Sequence, residues 1–195
     1  MCKKLSLFIP GTFAYLHVSI IIMNVLKLFK KITTFIFDVD GVLTDGTVLV
    51  LQNGLQARRM HIKDGFALQM AAKNGYRILV VSGGRPEQVI DRLEKLGIAD
   101  VRISVMDKGA LVAEYMKTNK LKPEEVLYMG DDLPDLPAMS HVGLTCCPAD
   151  AVQEVKETVQ YISPLNGGFA CVRDVIEKVL KLNGHWHYRA DVTSR

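Results

Sequence analysis

A chain of 195 residues, 49% hydrophobic and 23% charged with a formal net charge of +3, has the size and composition for one buried α/β core, and disorder is excluded. The charge balance is too mild for a polyanion binder, and with no basic stripe interleaved with aromatics no nucleic-acid partner is expected. Cys2, Cys146, Cys147 and Cys171 have the spacing of neither a disulfide framework nor a zinc site, which points to a reducing, cytoplasmic setting.

Residues 5–29 are mostly apolar and follow Lys3-Lys4, which resembles a signal or anchor segment. Pro10, Gly11, His17 and Asn24 interrupt that run, and the strand-like ITTFIF at 32–37 follows at once. A membrane helix so close would press the core against lipid. A start at Met23 would begin the chain directly before this strand. Residues 1–31 are therefore expected to be an extension of no functional weight, with a membrane or surface segment as the alternative.

Short β-rich runs are expected as strands at 33–37, 77–81, 101–104, 126–129 and 142–145. Helical patterns fall between and after them. Residues 86–96 place Val89, Leu93 and Leu96 on one face, open with proline and stop at Gly97. Residues 108–119 and 170–182 repeat the pattern. The alternation predicts an α/β fold, a doubly wound parallel sheet with helices on both faces. Residues 47–51 and 55–60 flank Gln52-Asn53-Gly54 and read as a hairpin flap, 47–61, after the first strand. The single domain is expected at 32–184, with 185–195 as an irregular tail. His185 and His187 could suggest a metal pair, but a mobile tail is the simpler expectation.

Open α/β sheets bind ligands beyond the carboxyl ends of their strands. The polar residues expected there are Asp38, Asp40, Ser82, Lys108, Asp131, Asp132 and Asp135. So many carboxylates in one space repel one another unless a cation sits among them. Oxygen ligands with no His or Cys point to Mg²⁺. Lys108, the Ser82 hydroxyl and neighbouring backbone N–H groups complement an anionic phosphate. This set describes phosphoryl transfer through a carboxylate. Asp38 is the expected nucleophile, and Asp40, two residues on, the expected acid and base. Gly41 permits a sharp turn beside the ligand. The blander readings are a turn aspartate, a loop hydroxyl and a solvated first-turn lysine. Four such groups in order at successive strand ends argue against them.

FDVDGVLTDG (37–46), VSGGR (81–85), Asp107-Lys108 and GDDLPD (130–135) resemble the four motifs of the haloacid dehalogenase superfamily. The resemblance covers about 33–182. It implies that Asp38 and Asp131 hold Mg²⁺ through carboxylates and Asp40 through its backbone carbonyl. Ser82, Gly83 and Lys108 are the expected phosphate-binding residues, and Asp132 and Asp135 are expected to support the ligands from behind, with a direct ligand role as the alternative for Asp135.

The intervals between motifs leave no room for a cap domain, so the hairpin is expected to cover the site by packing in an oligomer. HIKDGF (61–66), GDDLPDLPAM (130–139) and GGFACVRDV (167–175) resemble the capless 3-deoxy-D-manno-octulosonate 8-phosphate phosphatases. That resemblance implies a homotetramer acting on a sugar-acid phosphate in lipopolysaccharide precursor synthesis. Lys63, Arg85 and Arg173 are candidate cations for the substrate carboxylate. Motif two reads Ser82-Gly83-Gly84-Arg85 where that family reads Thr-Gly-Arg, which displaces the arginine by one position. The alternatives are a nonulosonate 9-phosphate phosphatase and a catalytically silent domain regulating a sugar-nucleotide enzyme.

Overall fold

The strand β1 (Thr34–Asp38) has every residue buried, as a central strand covered on both faces must. The computed structural model describes residues 25–85 and 87–192. β1 pairs in parallel with β4 (Arg77–Val81) on one side and β6 (Val126–Met129) on the other. Among the described residues the sheet has six strands in the order β5-β4-β1-β6-β7-β8. Its outer strands are β5 (Val101–Arg102), β7 (Leu144–Cys147) and β8 (Tyr161–Ile162).

Alternation along each strand divides the core into two layers. Phe35, Phe37, Val80, Leu127 and Met129 face one layer. Helices α2 (Ile62–Lys73), α3 (Glu87–Lys95) and α7 (Cys171–Leu182) cover it. Ile36, Leu79, Val81, Val126 and Tyr128 face the other. There α4 (Lys108–Thr118), the short α5 (Leu136–Met139) and α6 (Gln153–Thr158) pack. This is the doubly wound sheet that the alternating periods predict, and among the described residues no cap domain interrupts it.

Several boundaries differ from the sequence expectation, among them β7, which forms at Leu144–Cys147 and not at 142–145. Residues 25–31, the helix α1, belong to the fold rather than to an extension: Phe29 is fully buried and meets Tyr161 edge-on at 5.1 Å. Residues 1–24, and with them the apolar N-terminal run, lie outside the described residues. β8 was not expected, because two residues are too short to carry a periodic signal. Residues 185–192 are packed down. Trp186 contacts Phe66 edge-on at 6.0 Å, and His185 Nδ1 shares a hydrogen bond with the Tyr76 hydroxyl at 2.9 Å. His187 Nε2 lies 2.6 Å from the Gly184 carbonyl, so each histidine has a protein partner. Among the described residues, no helix is long and apolar enough to cross a membrane.

The hairpin forms, with β2 (Leu49–Val50) antiparallel to β3 (Gln56–Ala57). It stands away from the main sheet and exposes Leu49 and Val50. At its base Thr44 and Met60 form an isolated bridge.

A second tie holds α7. Its first turn follows Ala170, which has φ 76 and offers no side-chain cap. Asp64 of α2 supplies the missing acceptor, taking the Arg173 N–H at 2.6 Å. Burial pushes the Asp64 carboxyl up to about 6 despite these backbone donors.

Candidate active site

β1 ends on Asp38, β4 ends one residue before Ser82, and β6 ends two before Asp131. Because β1 connects onward to β4 while β6 lies on its other flank, these strand ends meet where the winding direction reverses. That is where such sheets open a crevice. Asp38, Asp40, Ser82, Gly83, Lys108, Asp131, Asp132 and Asp135 line one cavity there, of about 360 Å³.

The turn after β1 is tightly fitted. Gly41 has φ 88, and a Cβ on it would strike the Asp131 carboxylate, so a side chain is excluded on two grounds. From the far side Gly167 packs so closely that a Cβ there would strike the Gly41 carbonyl. The Gly168 N–H also donates to the Val42 carbonyl at 2.9 Å. The Thr44 hydroxyl donates back to the Val39 carbonyl at 3.2 Å and accepts from Gly41 N at 3.3 Å.

Lys108 opens α4, next to Asp107, whose Oδ1 caps the helix by accepting from Ala110 N at 2.9 Å. A lysine in a first helical turn faces the positive end of the macrodipole, and this one is only 7% exposed. Its Nζ lies 2.8 Å from Asp38 Oδ1 and 2.7 Å from Asp135 Oδ1. Burial disfavours its ammonium, but those two carboxylates more than compensate and raise its pKa above the ordinary lysine value.

Asp135 is fully engaged. Its Oδ1 also accepts from the buried Tyr128 hydroxyl at 2.7 Å, and its Oδ2 accepts from Asp131 N at 3.0 Å and Asp132 N at 3.3 Å. A turn at Leu133–Asp135, capped by the Asp132 carboxylate on Leu133 N, folds Asp135 back beneath Asp131. Ser82 is buried, and its Oγ accepts from Gly84 N at 3.1 Å.

The charges do not balance. Asp38, Asp131 and Asp135 bring one carboxylate oxygen each within 4.8 Å of the others, with one ammonium, Lys108, between two of them. Burial and the Asp135 charge push the Asp38 carboxyl up to about 7, against the pull of Lys108. Burial, followed by the charges of Asp38, Asp135 and Asp132, pushes Asp131 up to about 8. Asp131 Oδ1 is buried with no hydrogen-bond partner. An orphaned carboxylate oxygen beside a second carboxylate, with no nitrogen or sulfur ligand, fits a hard divalent cation. Asp135, with both oxygens already accepting hydrogen bonds, fits a role in holding Lys108 and the Asp131 backbone.

The candidate cations for a substrate carboxylate fall elsewhere on this chain. Lys63 and Arg173 line a separate cavity beside α7. Arg173 bonds Glu177 at 2.8 Å and stacks over the Phe66 and Trp186 rings. The exposed Arg85 donates to Ser104 Oγ at 3.1 Å. A cation that sequence reasoning missed lines a neighbouring cavity with Gln88 and Arg92 and reaches Asp40 from there. Arg58, at the base of the hairpin, donates through Nε to Asp40 Oδ1 at 2.6 Å. The Arg58-Arg59 pair, in a hairpin sequence otherwise without charge, was the available signal. The buried Tyr128 hydroxyl on Asp135 was also missed, since a tyrosine within a core strand reads as packing.

Comparison with known proteins agrees with this geometry. Residues 97–176 match the family model described as haloacid dehalogenase-like hydrolase. The 3-deoxy-D-manno-octulosonate 8-phosphate phosphatase of Yersinia pestis is 31% identical over 157 residues, 80% of this chain and 84% of the relative. The crystal structure of the Yersinia pestis phosphatase superposes with a TM-score of 0.80 at 30% identity, covering 83% of this chain and 88% of that one. The Moraxella catarrhalis phosphatase, solved with magnesium ion, phosphate ion and KDO, superposes with a TM-score of 0.78 at 28% identity, covering 82% and 91%. Motif order, sheet topology and these relatives agree: the chain belongs to the haloacid dehalogenase-like hydrolases, in the family of the 3-deoxy-D-manno-octulosonate 8-phosphate phosphatases.

Proposed function

We propose that the chain is a Mg²⁺-dependent phosphatase that hydrolyses 3-deoxy-D-manno-octulosonate 8-phosphate, in lipopolysaccharide precursor synthesis in the cytoplasm. The observation that carries this is the convergence of Asp38, Asp40, Ser82, Lys108 and Asp131 on one pocket in a chain 31% identical to phosphatases of that name. That complete set also argues against a silent regulatory domain.

In this reading Asp38 attacks phosphorus in line and becomes an aspartyl phosphate. Lys108, Ser82 Oγ and the Gly83 N–H hold the phosphoryl oxygens. Asp40 gives its proton to the departing sugar oxygen, then takes one from the water that hydrolyses the acyl phosphate. Asp38 and Asp131 through their carboxylates, and Asp40 through its backbone carbonyl, hold Mg²⁺. The bound cation neutralises charge where nucleophile and phosphate would otherwise repel.

Phosphate release in the presence of Mg²⁺, measured over a panel of sugar phosphates, tests the assignment. The eight-carbon sugar acid is expected to lead in kcat/KM by roughly 10- to 200-fold, the scale on which a pocket separates substrates that differ by one carbon unit. A nonulosonate 9-phosphate in first place would transfer the enzyme to the neighbouring specificity. No release from any phosphate would reject the enzymatic reading.

We infer further that the chain assembles as a homotetramer. Leu49, Val50 and Leu55 are half or more exposed on a hairpin that two-residue strands cannot stabilise alone. Burying them against other subunits would cover the pocket from the hairpin side. Light scattering is expected to give four chain masses, and a monomer of full activity would contradict the packing.

A further inference from the structure

Arg58 follows β3 directly, and its side chain is only 10% exposed while the hairpin strands beside it lie open. Its Nε sits 2.6 Å from Asp40 Oδ1, although the Asp40 side chain is itself 38% exposed. An arginine packed more deeply than the carboxylate it bonds is fixed by the fold and not by the pair. The residues after it add two more ties to the same turn: Arg59 Nε lies 3.6 Å from Asp45 Oδ2, and Met60 bridges to Thr44. Residues 58–60 thus attach the hairpin base to the turn that carries Asp40. The guanidinium also faces motif two. A Cβ built on Gly84 would lie 3.6 Å from Asp40 Oδ2, 3.6 Å from Ser82 Oγ and 3.9 Å from Arg58 Nη2. Asp40 Oδ2, the Ser82 hydroxyl and the Arg58 guanidinium therefore surround one point above Gly84.

We propose that Arg58 is a positioning residue for Asp40, fixing which carboxylate oxygen carries the proton during phosphoryl transfer. It rests on the acid and base role given to Asp40 above. With Oδ1 occupied by Arg58 Nε, Oδ2 is the oxygen that faces Ser82 and the phosphoryl site. As the Asp38–phosphorus bond forms and the bond from phosphorus to the sugar oxygen breaks, the proton on Oδ2 passes to that oxygen. The same Oδ2 then takes one proton from water as water oxygen bonds to phosphorus and Asp38 is released. A carboxyl free to rotate on a one-third exposed side chain would spend much of its time with its proton turned away. Proton transfer depends steeply on such geometry. The hairpin thereby does more than cover the site, because its base sets the acid.

The test compares kcat/KM, which reports the step in which the leaving group departs, for an alkyl sugar phosphate and for 4-nitrophenyl phosphate. The nitrophenolate needs no proton to leave. Arg58→Ala is expected to lose roughly 10- to 100-fold on the sugar phosphate, the scale of a misplaced catalytic group, and only a few-fold on the nitrophenyl ester. Guanidinium ion added to Arg58→Ala should restore part of the sugar-phosphate rate. In the Asp40→Asn background Arg58→Ala should add little, since a residue acting through Asp40 has nothing left to position. Equal losses on both substrates, or full additivity with Asp40→Asn, would overturn the proposal and leave Arg58 as a hairpin tie or a direct substrate contact. If Asp40→Asn itself left the sugar-phosphate rate intact, the acid reading of Asp40 would fail first, independently of Arg58.

Discussion

Asp38→Asn is expected to abolish turnover, by on the order of 10⁴-fold or more, because no other group stands where a nucleophile must. An amide oxygen neither attacks phosphorus nor releases it as a carboxylate. The fold should not suffer. The amide oxygen can still accept from Lys108 Nζ, which lies 2.8 Å from Asp38 Oδ1, and the substitution removes one of three crowded carboxylates. Burial and Asp135 raise the Asp38 carboxyl to about 7, so above that pH its ionised form is a cost to the folded state. In the absence of cation the variant should therefore melt at the same temperature as the wild type or higher at pH 8. Phosphate release and a thermal melt on one preparation check both halves. Wild-type protein should also yield an acid-stable, hydroxylamine-labile phosphoprotein when quenched during turnover, and Asp38→Asn should not. Retained turnover in the variant would end the aspartyl-phosphate mechanism.

The sheet was legible because its strands are buried on both faces and separated by helical periods. TFIFD, RILVV and VLYM leave little else for those residues to be. Legibility failed where an element is too short for a period to register. β8 and α5 have two and four residues, and their positions follow from pairing with β7 and from packing against α4 and β6. α1 failed for a different reason: Phe29 lies in an apolar run whose beginning resembles an anchor, and composition cannot show that this one ring is wedged against Tyr161. Within the candidate site, the residues that precede or follow strand ends could be read from the sequence, since strand ends bring them together whatever the side chains do. Arg58 is 18 positions from Asp40 and reaches it because the hairpin turns back on itself. Nothing in the local pattern of Gln56-Ala57-Arg58-Arg59 says which arginine points inward. Lys63 and Arg173 show the converse: their charge and family context suggested the pocket, whereas the helix pair α2 and α7 turns them toward another cavity.

Removing the divalent cation should stop catalysis reversibly, and the affinity for that cation should fall steeply as the pH is lowered. Asp38 and Asp131, raised to about 7 and about 8 with burial as the leading cause in each, ordinarily titrate near 4 when unfolded. Between those values the folded, cation-free protein binds more protons than the unfolded chain. Its stability therefore falls as pH rises through roughly 4 to 8. The Lys108 charge opposes both shifts, and the neighbouring carboxylate charges reinforce burial in raising them, so the sign rests on the excess of carboxylates over ammonium in the cluster. A cation reverses the slope. To bind, it must displace the protons held by Asp38 and Asp131, and each proton displaced costs about 10-fold in apparent affinity per pH unit below the group's pKa. At pH 8.5 few protons remain, and Mg²⁺ at about 100 times its dissociation constant should add ~2.7 kcal/mol, or ~5–10 °C in melting temperature for a chain of this size. At pH 6 the same concentration should add much less. Thermal melts with and without Mg²⁺ across pH 6 to 8.5, and isothermal titration in buffers of different ionisation enthalpy to count released protons, measure the effect without relying on turnover. A melting shift independent of pH, with no proton release, would mean that Asp38 and Asp131 are not the groups that meet the cation.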